Sequence, residues 1–453
     1  MISLWNKLVR ALKEDKLLRR VLKNTSYLFS SQAIGMVLAM GQSILATRLL
    51  GTNLFGLLTV VMAFATNINR LFSFRMGEFV IQYMGKQMAN KDREKAAAVA
   101  KIAGLSETTT SLIAFGIYML LVPIGVKYFA KDVTSISYFY LYGLFILTNF
   151  ATETATGILQ VTNRFKVQAG INLAQSIITA GLITIAFITK GSLLLVLWAY
   201  LIGKFITGLG PIIAAWRALN DELGRDWIKA PLSLFSSYRE MVSFSISTNL
   251  SGTVKMLVSE AEPLLIGLLL NTDAVALYKI AISIVNPLMI PVSQFINTTY
   301  PEMTRSIADH KWSELRRLLR RVTAISGIWT VFFFLVMVFF GPWILSIWGK
   351  EYVPAYNAMM ILIVGYGISN IFFWNRTLLL SFGKANIPLY IMAAVAVVKT
   401  ALAFVVVPNH GINAEAWLLS GNFIVSVGLL VVIGLVLINR TQKQDTAITE
   451  VVE

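Results

Sequence analysis

Twelve times along its 453 residues the sequence returns to an apolar run long enough to cross a lipid bilayer as a helix. A hydrocarbon core takes about 20 such residues. The runs fall at 27–48, 55–76, 102–124, 138–160, 169–189, 193–216, 241–270, 275–300, 322–346, 356–380, 389–407 and 414–438. They are expected to be helical because hydrocarbon offers no water to an open backbone, so each span must satisfy its own N–H and C=O groups. Charged residues make up only 14% of the chain, against about 25% in a soluble domain. The expected fold is all-α: a polytopic membrane protein of twelve transmembrane helices in two six-helix lobes. Residues 1–23 carry seven basic residues without a continuous apolar core, so a cleavable signal peptide is not expected.

The net charge of +16 would raise the question of nucleic acid in a soluble protein. Here the placement of the bases answers it. With the N-terminus set in the cytoplasm, 27 Lys and Arg fall in segments on that side and 5 on the other. That is the positive-inside pattern of a multi-pass membrane protein with both termini inside. The bases face lipid headgroups, and no nucleic-acid partner is called for. The absence of cysteine excludes thiol catalysis and cysteine metal sites. Two histidines a hundred positions apart make a histidine metal site or a Ser-His-Asp hydrolase untenable. No cofactor is implied.

The expected domain plan is a cytoplasmic amphipathic segment (1–26), an N-lobe (27–216), a cytoplasmic connecting loop (217–240), a C-lobe (241–438) and a cytoplasmic tail (439–453). A second amphipathic stretch, 311–322, sets Trp312, Leu315, Leu319 and Val322 opposite Arg316, Arg317, Arg320 and Arg321. It reads either as a helix on the inner leaflet or as an ordinary helix with snorkelling bases. Residues 49–61 are echoed at 269–281, an offset of 220, with Leu49, Leu50, Thr52 and Leu57 recurring as Leu269, Leu270, Thr272 and Leu277. Each segment joins the first two spans of a six-span set. Two such sets around a shared site is the plan of a secondary transporter.

Charge in hydrocarbon is costly, yet polar residues here fall on helical stripes. Span 2 carries Thr59, Thr66, Asn67, Arg70 and Arg75; span 4 carries Asn149, Thr152, Glu153 and Thr156; span 5 carries Gln168, Asn172, Gln175 and Thr179. Span 7 holds Lys255, Glu260 and Glu262; span 10 holds Arg376; span 11 holds Lys399. Such faces point to a wet chamber. Arg70, Lys204, Lys255 and Lys399 lie nearest the middle of their spans, whereas most acids lie nearer the ends. A cationic centre suits a phosphate or pyrophosphate. The substrate-binding set is therefore Arg70, Lys255 and Lys399, with Arg75 and Arg376 near the inner mouth and Asn67, Asn149 and Gln175 for hydroxyls. Arg75 and Arg376 could equally snorkel. Glu107, Glu153, Glu260 and Glu262 are either proton or sodium couplers or counter-ions to the buried bases.

The segment Ala46 to Gly56, with Arg48-Leu49-Leu50-Gly51 and Phe55-Gly56, resembles a signature of polysaccharide biosynthesis flippases in the multidrug/oligosaccharidyl-lipid/polysaccharide exporter superfamily. Asn163-Arg164-Phe165-Lys166, Trp348-Gly349-Lys350-Glu351-Tyr352 and Pro408-Asn409-His410-Gly411-Ile412 resemble three further elements in the same order. Ala276 departs from the pattern where a glycine is usual, which questions the close packing at that turn. The resemblance implies two lobes opening alternately, and a non-enzymatic job: moving an undecaprenyl-diphosphate-linked oligosaccharide between leaflets for surface polysaccharide such as O-antigen, lipopolysaccharide or exopolysaccharide. Its partners would be the lipid-linked substrate, membrane lipids and, left open, a polysaccharide polymerase or ligase. A cation-coupled multidrug exporter of the same superfamily is the alternative, and would show an acidic or aromatic chamber. A membrane glycosyltransferase or ligase is third, opposed by short outer loops.

Overall fold

The computed structural model describes residues 16–72, 76–235, 242, 261–384 and 386–452. Arg75, Lys255 and Glu260, like most of the amphipathic segment 1–26, lie outside them. Every regular element among the described residues is helical.

Among the described residues, nine helical stretches are long and apolar enough to cross a membrane. Two of them are really pairs. Lys16–Phe72 leaves helical geometry at Gly51 (φ 68°, ψ −178°) and Asn386–Val452 at Gly411 (φ 67°, ψ −157°). A Cβ disfavours positive φ, so glycine is the residue that joins two spans with so short a link. The seventh expected span lies mostly outside the described residues, and its end is the helix Glu262–Leu269. The all-helical architecture of the sequence reading is therefore the observed one.

Contacts among the described residues group them into two units. One falls within Met1–Leu50 and Val61–Met256, the other within Gly51–Val60 and Leu257–Glu453. In the first unit, Phe64 packs against the rings of Tyr118 and Phe139. The buried Tyr118 hydroxyl donates to the Phe139 carbonyl at 2.6 Å, so the apolar interior leaves no orphan there. In the second unit, Trp312, Leu315, Leu319 and Val322 share a core with Phe373, Trp374, Leu378 and Ile438. Large apolar side chains such as Leu120, Phe339 and Val405 remain exposed on both units, as a lipid-facing surface requires.

The stretch 311–322 is the first turns of one unbroken helix, Trp312–Ser346, continuous with span 9. Its apolar face is buried in protein. Trp312 Nε1 donates to Asp445 Oδ2 at 2.8 Å, and Arg316 Nη2 donates to Asn439 and Gln442. The leaflet-bound reading is thus replaced: the face that would have entered lipid is already covered by helices of its own unit.

Candidate functional site

Two spans break in the middle. Span 4 consists of Ile136–Thr148 and Thr152–Val161, and span 10 of Tyr356–Ile371 and Asn375–Ser381. The breaks, at Asn149–Ala151 and Phe372–Trp374, lie close to the 220-residue offset of the sequence echo. A broken transmembrane helix exposes backbone groups at its inner ends, which suits polar binding in a membrane transporter.

In the first unit, Glu107 serves the break in span 4. It is almost fully buried, and its two carboxylate oxygens accept the backbone N–H groups of Glu153 (2.9 Å) and Thr154 (2.8 Å). An anion at a helix N-terminus satisfies orphan donors and meets the positive end of the dipole. The other side of the break packs on span 6. Thr152 Oγ1 donates to the Gly208 carbonyl at 3.2 Å and contacts Asn149 Oδ1 at 3.3 Å. Glu153 is exposed. Its backbone crowds Gly77, where a Cβ would meet the Glu153 carbonyl oxygen at 3.0 Å.

One turn before Gly208 on the same helix stands Lys204, its ammonium 5.7 Å from the centre of the Phe145 ring. That is cation–π geometry. Arg70, exposed near the end of span 2, lies within electrostatic reach of this lysine. Gln175 packs beside Gly203 and donates to Thr179 Oγ1 at 3.0 Å. Asn67 is buried, donates to the Ala63 carbonyl at 2.8 Å, and its Oδ1 has no hydrogen-bond partner among the described residues. The structure therefore gathers Lys204, Gln175 and Asn149 at spans 4, 5 and 6, with Arg70 on span 2 within electrostatic reach of Lys204. Lys204 is the member missing from the expected set, although its central depth marked it in the sequence.

Lys399, expected to hold the anion, does something else. It is buried in the second unit and donates to Glu262 Oε1 at 2.7 Å and to Glu415 Oε1. Glu262 and Glu415 are 2% and 0% exposed, so one ammonium is matched to two carboxylates deep in the fold. A lysine so engaged is already compensated and is not a free anion holder. Glu262 is one ion-pair partner of Lys399, and Glu415, which is not among the expected site residues, is the second. Oε2 of each glutamate, and the hydroxyl of the buried Tyr278, have no hydrogen-bond partner among the described residues. Tyr278 lies within electrostatic reach of both acids. Arg376 is exposed on the second half of broken span 10. Among the described residues no group of three His, Cys, Asp or Glu is arranged to hold a metal ion.

Comparison with known proteins places this architecture. The polysaccharide biosynthesis protein family matches residues 21–307, and the MatE family matches 251–405. The inner membrane protein YghQ of Escherichia coli K12 is 23% identical over 350 residues, covering 76% of this chain and 96% of that protein. An inward-facing multidrug resistance MATE family transporter of the MOP superfamily superposes with a TM-score of 0.67 at 14% identity, covering 92% of this chain and 95% of that one. The lipid II flippase MurJ in an inward closed conformation does so with 0.66 at 11% identity, covering 95% and 93%. The chain belongs to the polysaccharide biosynthesis protein family.

Proposed function

We propose that this protein flips an undecaprenyl-diphosphate-linked oligosaccharide from the inner to the outer leaflet of a bacterial cytoplasmic membrane by alternating access. The observation that carries the reading is the polar group on spans 4 to 6, where the half-buried Lys204 stands 5.7 Å from the Phe145 ring centre and Gln175 packs beside Gly203, with the exposed Arg70 within electrostatic reach of that lysine. Two like charges within reach of each other repel. An anion with more than one negative charge, such as a diphosphate, relieves that repulsion and binds both. Asn149 and Gln175, on the adjoining helices, supply amide groups for sugar hydroxyls. The lipid tail stays in the bilayer, no bond changes, and the protein acts as a carrier and not as an enzyme. The basic segments set the termini in the cytoplasm.

The glutamate pair on Lys399 supports cation coupling. With both carboxylates ionised the group carries one net negative charge in a dry setting, and one bound proton neutralises it. A proton moving down the membrane potential supplies about 2.3 kcal/mol per 100 mV. The same group, and the MatE match over 251–405, favour the second reading, a cation-coupled drug exporter. The basic character of the first unit's site favours the flippase.

The test is export in a deletion strain complemented with Arg70→Ala, Lys204→Ala or the double variant. The expected result is accumulation of lipid-linked glycan on the inner leaflet at unchanged protein level. Normal export from the double variant, or raised drug susceptibility without a glycan defect, would reject the flippase reading.

A further inference from the structure

The exposed faces of two neighbouring helices in the second unit record how deep they sit in the bilayer. On Trp312–Ser346 the exposed stripe runs through Ile325, Ile328, Phe332, Leu335, Phe339 and Trp343, at the three- and four-residue steps of one helical face. From Ile325 to Trp343 the helix rises about 27 Å, close to a hydrocarbon core of about 30 Å. One turn before Ile325 the stripe turns basic: Arg317, Arg320 and Arg321 are all exposed. The helical stretch that ends at Val452 makes the same change in the opposite direction. Val425, Val432 and Val436 are exposed apolar residues, and within the next two turns stand the exposed Arg440 and Lys443.

The two basic ends lie side by side. Arg316 Nη2 donates to Asn439 Oδ1 at 2.8 Å and to Gln442 Oε1 at 2.6 Å, and Ile438 shares a core with Leu315 and Leu319. Arg320 stands one turn beyond Arg316, and Lys443 one turn beyond Asn439, so bases from both helices flank one seam. The sign of the seam does not depend on where its edges are drawn. Residues 305–321 and 439–445 together carry eight Lys or Arg and three acids. Two of those acids are taken up: Asp309 pairs with Lys311 at 3.2 Å and with Arg305 at 3.8 Å, and Asp445 meets His310 at 2.6 Å. Glu314 alone is left to offset Arg317, Arg320, Arg321, Arg440 and Lys443, none of which has an ion-pair partner among the described residues.

We propose that this seam holds the head of an anionic glycerophospholipid of the cytoplasmic leaflet, with its phosphate on Arg317, Arg320 and Arg321 and its acyl chains along the apolar stripes. A guanidinium meets a phosphate with two parallel N–H donors, and bases crowded on one turn repel one another until an anion joins them. The adjoining stripes select a lipid over a soluble anion. One unpaired carboxylate against five unpaired bases selects an anionic head over a zwitterionic one, whose ammonium would meet like charge. Depth separates a resident lipid from a cargo: a substrate that crosses the membrane must leave the phosphate level, whereas these stripes hold a lipid at it. The seam shares no residue with the groups around Glu107, Lys204 or Lys399, so it stands whether or not the flippase reading does.

The test is native mass spectrometry of the full chain in detergent, titrated in parallel with phosphatidylglycerol, phosphatidylethanolamine and undecaprenyl phosphate. The parent is expected to retain phosphatidylglycerol about tenfold more abundantly than either competitor. The triple variant Arg317→Ala, Arg320→Ala and Arg321→Ala is expected to lose about tenfold of that retention at an unchanged thermal midpoint, because all three side chains are exposed. A control triple variant, Lys86→Ala, Lys166→Ala and Arg225→Ala, removes the same charge from exposed positions of the first unit and is expected to retain the lipid as the parent does. Where the arginine variant does not fold, Arg440→Ala with Lys443→Ala decides, with a loss expected there too. Equal retention of phosphatidylglycerol and phosphatidylethanolamine by the parent, equal or tighter retention of undecaprenyl phosphate, or equal retention by the arginine variant and the first-unit control would overturn the proposal.

Discussion

A Cβ placed on Gly56 would lie 1.8 Å from the carbonyl oxygen of Thr272, so the helix that follows Gly51 and the helix that begins at Thr272 meet backbone to backbone. These are the two segments of the sequence echo, and Gly51–Val60 of the first belongs with the second segment to the second unit. Side chains fasten the contact: Asn53 Nδ2 donates to Thr272 Oγ1 at 3.0 Å, and Thr52 Oγ1 donates to Asp273. The departure at Ala276 does not loosen it. Ala276 is fully buried, and Gly56 alone makes the close approach. Overpacking at a backbone contact costs about 1–3 kcal/mol or more, so Gly56→Ala is expected to lower the thermal midpoint in detergent by several degrees. Gly41→Ala is the control, because nothing lies within 4 Å of its Cβ; as a helical glycine it should be neutral or gain up to about 1 kcal/mol. Equal midpoints for the two variants would disprove the tight contact.

Glu107 is expected to act as a buried cap and not as a carrier of protons or sodium. Glu107→Ala leaves the N–H groups of Glu153 and Thr154 without an acceptor, a loss of about 2 kcal/mol at a buried helix start. Glu107→Gln keeps one carbonyl acceptor and should fall between. Hydrogen exchange at residues 153 and 154 reads the effect directly, with protection falling in the order parent, Gln, Ala. A coupling residue would instead change the ion dependence of transport while leaving those amides protected.

The all-helical fold was legible because hydrocarbon forces each span to be long, apolar and helical, and because turn chemistry is local. All four segments that carry the family likeness hold a positive-φ residue at a junction: Gly51, Asn163, Gly349 and Gly411. The broken spans 4 and 10 were not legible, since Asn149 and Phe372 look like any polar or apolar residue in a run. The buried charges were legible as a set, but their pairing was not. Lys399 finds Glu262 across 137 positions and Glu415 across 16, and nothing in the linear order says that one lysine serves two acids. Glu107 was visible as an acid near a span end, but its function depends on a helix break that the sequence conceals. The stretch 311–322 stayed open between two readings because an amphipathic helix looks the same whether lipid or protein covers it.

That ambiguity yields a direct experiment at Trp312. The indole is buried, stacks on Phe382 with an interplanar angle of 3° and donates to Asp445. Trp312→Ala should therefore cost about 3–5 kcal/mol, as a core tryptophan does. Trp312→Phe keeps the ring but leaves Asp445 without its indole donor, and should cost less. An anchor lying on the leaflet would behave otherwise, losing vesicle affinity at constant thermal midpoint.

The Lys399 group predicts an ordering that a simple stabilising salt bridge does not. Removing the ammonium with Lys399→Met strands Glu262 and Glu415 together in a dry site. Breaking a buried ion pair from one side costs about 3–5 kcal/mol, so this single variant should be the least stable of the series. Glu262→Gln and Glu415→Gln each leave a neutral ion pair and a neutral amide, and should be far milder. The triple variant, with Lys399→Met and both acids changed to Gln, carries no charge and should recover much of the stability lost in Lys399→Met, because uncharged replacements of buried ion pairs are often tolerated. Thermal midpoints in detergent give the ordering. Transport then separates function from folding: if this group couples a cation to export, the triple variant folds yet no longer responds to the imposed gradient, and a purely structural group would leave that response intact.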